Sequence, residues 1–247
     1  MRRQTHPRRI VSSAEQFDSI VRNQFKLLMN NYNANRILVT SGSTREPIDQ
    51  VRYLSNKSSG RLGCLIAIAA AIEHYEVTLL HSDCSISPTK HPRLTSIPFS
   101  SCRDLDAKLQ EQWPSHDVLI MAAAVSDFTP KGGQTSGKIT RTDSQKIDLI
   151  STKDIVASIS HGSTNCQRII AFALEEASNL ETAGRQKLAQ KKVDAIIANP
   201  LETMESNHIT ATVYCKNGKT ITPPNNLPKS DFAFWLIQNL EDITATI

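Results

Sequence analysis

Between Ser41 and Gly63 the chain reads SGSTREPIDQVRYLSNKSSGRLG, so Arg45, Arg52, Lys57 and Arg61 share one short stretch with the amide of Asn56. A guanidinium group forks onto phosphate or carboxylate oxygens, and an Asn amide can donate to an acyl oxygen while accepting elsewhere. The stretch follows the apolar run Ile37, Leu38, Val39 and leads through Ser58, Ser59 and Gly60 into an Ala/Ile-rich run. A buried strand, a Gly turn, a polar loop and a helix, in that order, aim backbone N–H groups at an anion. The loop is therefore predicted to hold a phosphate-bearing ligand. It is too long for the short turn of a dinucleotide-binding fingerprint.

Residues of this kind need a frame, and the rest of the chain supplies its pattern. Strand-like Arg36–Thr40, helical Arg61–His74, strand-like Glu76–His81, helical Arg103–Trp113 and strand-like Asp117–Ala122 alternate. The series continues with a helix near Asp154–Ser160, a strand at Arg168–Ala173, a helix at Glu181–Lys192 and a strand at Val193–Ala198. Such alternation predicts an α/β fold, a three-layer Rossmann-like and mostly parallel sheet with helices on both faces. Thr210–Cys215 and Thr220–Thr222 flank Asn217-Gly218, a hairpin turn signal, and Ser230 is placed to cap a last helix. Thr129–Ser136 (TPKGGQTS) is too polar and Gly-rich to bury much surface, and reads as a flap. The fold thus carries a small β-hairpin/flap extension. Phe17, Ile20, Val21, Phe25 and Leu28 recur at helical spacing, so residues 1–35 read as a tail with an amphipathic helix, ahead of one domain over 36–247.

Composition narrows the function. The formal charge is +4, part of it from Arg2, Arg3, Arg8 and Arg9, and only 5% of residues are aromatic. A nucleic-acid binder needs a basic patch with aromatic platforms, so no nucleic-acid partner is expected. The five cysteines, Cys64, Cys84, Cys102, Cys166 and Cys215, are scattered and form no CxxC pair. That usage argues against a disulfide framework or a structural zinc site and for a reducing compartment. No apolar run approaches a membrane span, so no membrane association is expected.

The loop Ser41–Gly63 resembles the signature TSGGTREPIDPVRxISNxSSGxxG of phosphopantothenoylcysteine synthetases, also called phosphopantothenate-cysteine ligases. The likeness runs on through Ala122–Phe128 (AAAVSDF), Gly137–Ile139 (GKI), Lys153–Val156 (KDIV), Phe172–Glu175 (FALE) and Asp194–Asn199 (DAIIAN). A short pattern such as SGST alone carries little weight, whereas matches in the family's order along most of the chain carry much. The resemblance implies a cytoplasmic ligase of coenzyme A biosynthesis that joins 4'-phosphopantothenate to L-cysteine. It further implies a nucleoside triphosphate as cosubstrate, CTP favoured over ATP, with magnesium (Mg2+), and a homodimer that pairs near the flap and completes the phosphopantothenate site across the interface. The family's flavin-dependent decarboxylase domain has no counterpart in Met1–Asn35, so the ligase alone, without flavin, is expected.

Carboxylates resist amines because their charge repels the nucleophile and oxide leaves poorly; conversion to an acyl nucleotidylate removes both obstacles. Bringing two anions together then requires cationic donors and a divalent metal. The resemblance assigns Arg52, Asn56 and Ala124 to the acyl nucleotidylate and Lys138, beside the permissive Gly137, to the triphosphate. It assigns Gly42, Met121, Ala122, Ala123, Asp127, Phe172, Lys153, Asp154, Ile155 and Val156 to the nucleotide. Lys187 and Lys191 match two further nucleotide lysines, and their spacing of four sets both on one helical face. Arg45, Ser58, Ser59, Gly60 and Asn199 are assigned to the other substrates, and no metal ligand is singled out. Bland roles compete for many of these: Asn56 as a turn cap, Asp127 closing the turn before Pro130, Phe172 in the core, Lys187 and Lys191 on a solvated face.

Several positions depart from the family pattern. Ser43 replaces a Gly, Ala171 replaces a Gly, and Lys138-Ile139-Thr140-Arg141 replaces KIKK, leaving Arg141 as a partial substitute for lysine charge. Two other function classes share this kind of fold. An oxidoreductase would need GxGxxG after the first strand and an acid at the end of the second, where only Asp83 is available. A nucleotide sensor would bind without releasing pyrophosphate.

Overall fold

A computed structural model of the protein describes residues 36–245 except 84, 85, 87, 88, 142 and 143. The expected amphipathic helix, the tail 1–35 and Cys84 lie outside the described residues.

In chain order the first half comprises β1 (Arg36–Ser41), β2 (Arg45–Pro47), β3 (Tyr53–Ser55), α1 (Arg61–Ile72), β4 (Glu76–Ser82), β5 (Leu94–Phe99), α2 (Cys102–Gln112) and β6 (Val118–Met121). Then follow β7 (Phe128–Pro130), β8 (Leu149–Ser151), α3 (Ile155–His161), β9 (Arg168–Glu175), α4 (Leu180–Lys191) and β10 (Ala195–Pro200). The chain ends through β11 (His208–Ile209), β12 (Thr212–Cys215), β13 (Thr220–Ile221), β14 (Leu227–Pro228), α5 (Lys229–Gln238) and α6 (Leu240–Thr244).

The main sheet runs β13-β12-β10-β9-β6-β1-β4-β5. Its six strands from β10 to β5 are parallel, and β12 and β13 close one edge antiparallel. The apolar runs form parallel strands because both faces are covered: Ile37, Leu38, Val39, Leu119, Ile120, Ile170 and Ile197 are wholly buried. On one face α1 packs on β1 and β4 and against α5. On the other, Leu105 and Leu109 of α2 and Ile155 and Ile159 of α3 share a cluster with Leu38, Leu80, Phe99 and Trp113. Each such side chain contributes about 1.5–3 kcal/mol on burial, whereas a cap such as Ser101 on α2, accepting from Asp104 N–H, contributes about 1 kcal/mol. Burial therefore sets the layers, and the caps trim helix ends.

Topology then selects the site. From β1 the chain passes outward through α1, β4, β5 and α2, and returns as β6 on the other side of β1. That reversal opens a crevice at the carboxyl ends of β1 and β6, where ligands settle in open α/β sheets. Gly63 lets α1 dock there: a Cβ would lie 2.6 Å from Ser41 Cβ and 2.9 Å from the Thr40 carbonyl oxygen. Ser41 Oγ also donates to the Gly60 carbonyl at 2.6 Å, fixing the start of α1 against the end of β1.

Three features differ from the sequence reading. β5 has only Phe99 fully buried, so no apolar run announces it. The pairs β2–β3, β7–β8 and β11–β14 are strands of two or three residues, too short for any periodicity. Finally, α5 begins at Lys229 with Pro228 ahead of it, and Ser230 donates to Asp231 Oδ1 instead of capping the helix.

Candidate active site

The signature loop folds onto the segment after β6 through a ladder of polar contacts. Ala123 N–H donates to Thr40 Oγ1 at 3.0 Å, Ala124 N–H to the Gly42 carbonyl at 2.8 Å, and Ser126 N–H to Thr44 Oγ1 at 2.9 Å. Asn56 Nδ2 adds a bond of 3.0 Å to the Val125 carbonyl. The Asn56 amide thus holds the loop, the bland role, yet it also borders the crevice, and its second N–H and Oδ1 keep donor and acceptor capacity.

Beside this ladder lies a cavity of about 580 Å³. The sequence-assigned residues that border it are Asn56, Ser58, Ser59, Gly60, Met121, Ala122, Ala123, Ala124, Asp127, Val156, Phe172, Lys187, Lys191 and Asn199. Segments spread over more than a hundred residues of chain therefore meet at one crevice. Phe172 is half-buried and meets Phe232 edge-on at 6.4 Å, so one side of the ring serves the core while the residue lines the cavity. Lys187 Nζ sits 2.5 Å from Glu175 Oε1, and Lys191 Nζ 2.9 Å from Asp154 Oδ2. Both lysines thus reach the cavity already held by carboxylates. Asp154 also caps α3 through Ala157 N–H. Burial pushes its carboxyl up, but that N–H and the Lys191 ammonium outweigh it and leave the pKa below the usual range.

Other assigned residues lie outside the lining. Ile155, the first residue of α3, is buried in the core, and Lys153 pairs with Asp106 at 2.8 Å. Gly42 turns the chain at φ 85° and offers its carbonyl to Ala124. Arg45 lies over the Tyr53 ring at 4.6 Å and pairs with Asp83 at 3.3 Å. The carboxylate that a dinucleotide fold would turn to a ribose is here bound to an arginine.

Arg52 and Lys138 sit elsewhere again. Asp49, its side chain enclosed, accepts from Val51 N–H and Arg52 N–H at 2.8 Å, Arg52 Nη1 at 2.6 Å and Ile139 N–H at 3.0 Å. The Ile139 N–H is the largest influence on its carboxyl; burial opposes it, the remaining donors add to it, and the pKa falls to about 2. Arg52 Nη1 reaches the Ile139 carbonyl at 3.3 Å, and Gln50 N–H the Gly137 carbonyl at 3.2 Å. One carboxylate thus clamps the flap to the turn that carries Arg52. Lys138, in the clamped stretch, is exposed. Sequence reasoning missed Asp49, although an Asp three residues before an Arg in a loop carries the signal of an Asx turn. It also missed Thr203, Met204, Glu205, Ile209 and Lys229, which line the cavity from the far end of the chain.

Among the described residues no three His, Cys, Asp or Glu side chains are grouped as metal ligands, and no helix is long and apolar enough to cross a membrane.

Residues 32–243 match the family described as "DNA/pantothenate metabolism flavoprotein C-terminal domain". A curated relative, the coenzyme A biosynthesis bifunctional protein CoaBC of Vibrio vulnificus (strain CMCP6), is 34% identical over 196 residues, which are 77% of this chain and 48% of the relative. The chain spans about half the length of the curated relatives it matches. The crystal structure of the C-terminal domain of a CoaBC protein aligns with a TM-score of 0.71 at 31% identity, covering 85% of this chain and 95% of that one. A Cab2 variant in complex with phosphopantothenate-cysteine shares the fold at a TM-score of 0.70 and 19% identity, over 92% of this chain and 93% of that one.

Proposed function

This chain belongs to the family of the DNA/pantothenate metabolism flavoprotein C-terminal domain, and from that premise we propose that it ligates 4'-phosphopantothenate to L-cysteine through an acyl nucleotidylate, consuming a nucleoside triphosphate. The observation that carries the reading is the single crevice in which Asn56 and Ala124 border the same space as Met121–Ala123, Phe172, Lys187 and Lys191. An acyl group and a nucleotide must meet at one phosphorus atom, and this crevice brings both sets of residues together.

In the first step a carboxylate oxygen of phosphopantothenate attacks the α-phosphorus, and the bond to the bridging oxygen breaks to release pyrophosphate. The nucleoside rests on the backbone of Met121–Ala123 and on Phe172. Lys187 and Lys191, which pair with Glu175 and Asp154 at the cavity, also donate to phosphate oxygens and so fix the polyphosphate. Asn56 then holds the acyl nucleotidylate while the cysteine amine attacks and the nucleoside monophosphate leaves. A magnesium ion carried with the triphosphate would supply further charge neutralisation at the phosphates. CTP is the favoured nucleotide, no flavin takes part, and the setting is cytoplasmic.

Arg52 and Lys138 complete the reading through a homodimer. Neither lines the cavity of its own chain, and both lie with the flap. Around them Val51 (61% exposed), Tyr53 (52%), Phe128 (49%) and Ile150 (47%) present apolar surface from the β2–β3 and β7–β8 pairs. Such a face invites a second copy, and pairing there would carry Arg52 toward the partner's phosphopantothenate.

A pyrophosphate-release assay with each nucleotide tests the reaction. Pyrophosphate, nucleoside monophosphate and phosphopantothenoylcysteine should appear together and only when both substrates are added. Nucleoside diphosphate and phosphate instead would sink the acyl-nucleotidylate route, and pyrophosphate with ATP but not CTP would reverse the nucleotide preference.

A further inference from the structure

Asn199, near the end of β10, and Thr203 both border the cavity half-buried, and the threonine decides which way the Asn199 amide faces. Asn199 Nδ2 donates to Thr203 Oγ1 at 2.7 Å, and Thr203 Oγ1 donates to the Pro200 carbonyl at 2.7 Å. A hydroxyl has a single proton to give, so with that proton on Pro200 its oxygen can only accept from Asn199. Turning the amide over would set Oδ1 against the Thr203 oxygen, and the hydroxyl would have to leave the Pro200 carbonyl to bond it. Thr203 therefore selects the orientation in which Nδ2 faces it.

The chain is built to keep this relay in place. β10 stops at Pro200 and runs into a short 3-10 turn, Leu201–Thr203, closed by Met204 N–H on the Leu201 carbonyl at 3.0 Å. That turn brings residue 203 back beside residue 199. Lys229 Nζ then holds Thr203 from α5 by donating to its carbonyl at 3.1 Å. The hydroxyl is thus carried by backbone that is itself tied down, which a relay through a single proton needs.

With Nδ2 turned to Thr203, Oδ1 is the amide atom left to accept, and its lone pairs call for an O–H or N–H of a ligand. The Lys229 ammonium on the Thr203 carbonyl sets positive charge close by, so a cationic donor such as the ammonium of cysteine is disfavoured there and a neutral one is not. 4'-Phosphopantothenate carries a hydroxyl and amide N–H groups, and a nucleotide carries ribose hydroxyls. We propose that Thr203 is a positioning residue, holding the Asn199 amide so that Oδ1 accepts from a neutral hydroxyl or amide N–H of a bound substrate. The identity of those substrates rests on the ligase reading above. No bond or proton changes hands in this role, and its effect is on binding.

Thr203→Val keeps the shape and removes the relay, whereas Thr203→Ser keeps the relay. Calorimetric titration with 4'-phosphopantothenate and, separately, with CTP reads affinity, and pyrophosphate-release kinetics read KM and kcat. For Thr203→Val the expected result is about fivefold weaker binding of one of the two ligands, the scale of one neutral hydrogen bond, with its KM raised alike and kcat and the other ligand unchanged. Thr203→Ser should bind as wild type does. Asn199→Ala should weaken the same ligand, and Thr203→Val added to it should cost nothing more, because the hydroxyl acts only through the amide. The ligand that weakens identifies the donor, on phosphopantothenate or on the ribose. Unchanged affinity for both ligands, equal losses for both, additive losses in the double variant, or a rise in the cysteine KM alone would overturn the proposal. Wild-type protein that binds the ligands but releases no pyrophosphate would overturn the ligase reading, while the same titrations decide the role of Thr203; wild-type protein that binds neither would overturn both.

Discussion

The cavity and the flap are built in opposite ways. The cavity wall is the end of a sheet: Leu38, Val39, Leu119 and Ile120 are wholly buried behind it, and the loop above is held by bonds from Thr40, Thr44, Gly42 and Asn56. The flap rests on two short hairpins, leaves Val51, Tyr53 and Phe128 about half exposed or more, and is attached by the enclosed carboxylate of Asp49 together with a few hydrogen bonds to the backbone of Ile48, Asp49 and Gln50. Groups that define a ligand's position gain from rigid support, because small misplacements cost rate steeply. Groups that must admit and then cover the ligand need a surface that can part and meet again, and few contacts suffice for that.

If that division is right, substitutions in the two regions should fail differently. The largest effects belong to chemistry. Lys138→Gln should slow pyrophosphate release by about a hundredfold or more, the scale of losing a preorganised charge donor, with the melting temperature unchanged. Asn56→Asp, nearly isosteric, should still form the acyl nucleotidylate but fail to pass it to cysteine. Mass spectrometry of a quenched single turnover separates the two; intermediate with the Lys138 variant but not with the Asn56 variant would invert the roles.

A middle-sized effect should come from the clamp. Asp49→Asn keeps the shape but removes the charge that Arg52 and three backbone donors address, so activity should fall about tenfold as the flap loosens. Its pH signature is distinct. With the folded pKa depressed to about 2, the Asp49 carboxylate stabilises the protein fully above the ordinary carboxylate range near 4, and that contribution is lost as pH falls toward 2. Melting temperature measured between pH 5 and 2 should therefore drop less steeply for the variant than for wild type. Parallel curves would show that the clamp adds nothing in solution.

The smallest effect should lie in the cavity itself. Phe172→Leu retains apolar bulk and loses the aromatic face, worth about 0.5–1.5 kcal/mol, so nucleotide KM should rise several-fold with little change in kcat. A change in kcat alone would place Phe172 outside the nucleotide contacts.

How much of this was legible in the sequence follows the same division. Buried parallel strands are continuous apolar runs, so β1, β4, β6, β9 and β10 could be read from Ile, Leu and Val alone. Their ends then marked the crevice, and the motifs supplied most of its lining. The flap could be located by its glycines, but the β7–β8 pair that helps anchor it joins residues as distant as Phe128 and Ser151 through three-residue strands, and no local signal encodes such a pairing. Arg52 and Asn56 stand four apart in one loop and yet serve different places, because the turn at Asp49 and the β3 strand carry Arg52 to the flap and Asn56 to the cavity. Lys229 was invisible for a different reason. Its helix reads as packing, and the β11–β14 pair and the bond to Thr203, which join segments far apart from any local signal, help bring its ammonium to the crevice.

The most direct test of the account is whether cavity and flap serve one another across two copies. Arg52→Gln and Asn56→Asp proteins should each be nearly inactive alone. In a mixed dimer one site would combine the intact Asn56 of the first with the intact Arg52 of the second. Product formation after unfolding and refolding the two together should therefore recover to about a quarter of wild type, since half of randomly paired dimers are mixed and each has one of its two sites whole. A mixture that forms mixed dimers yet stays as inactive as its parents would contradict the account and return Arg52 to the site of its own chain.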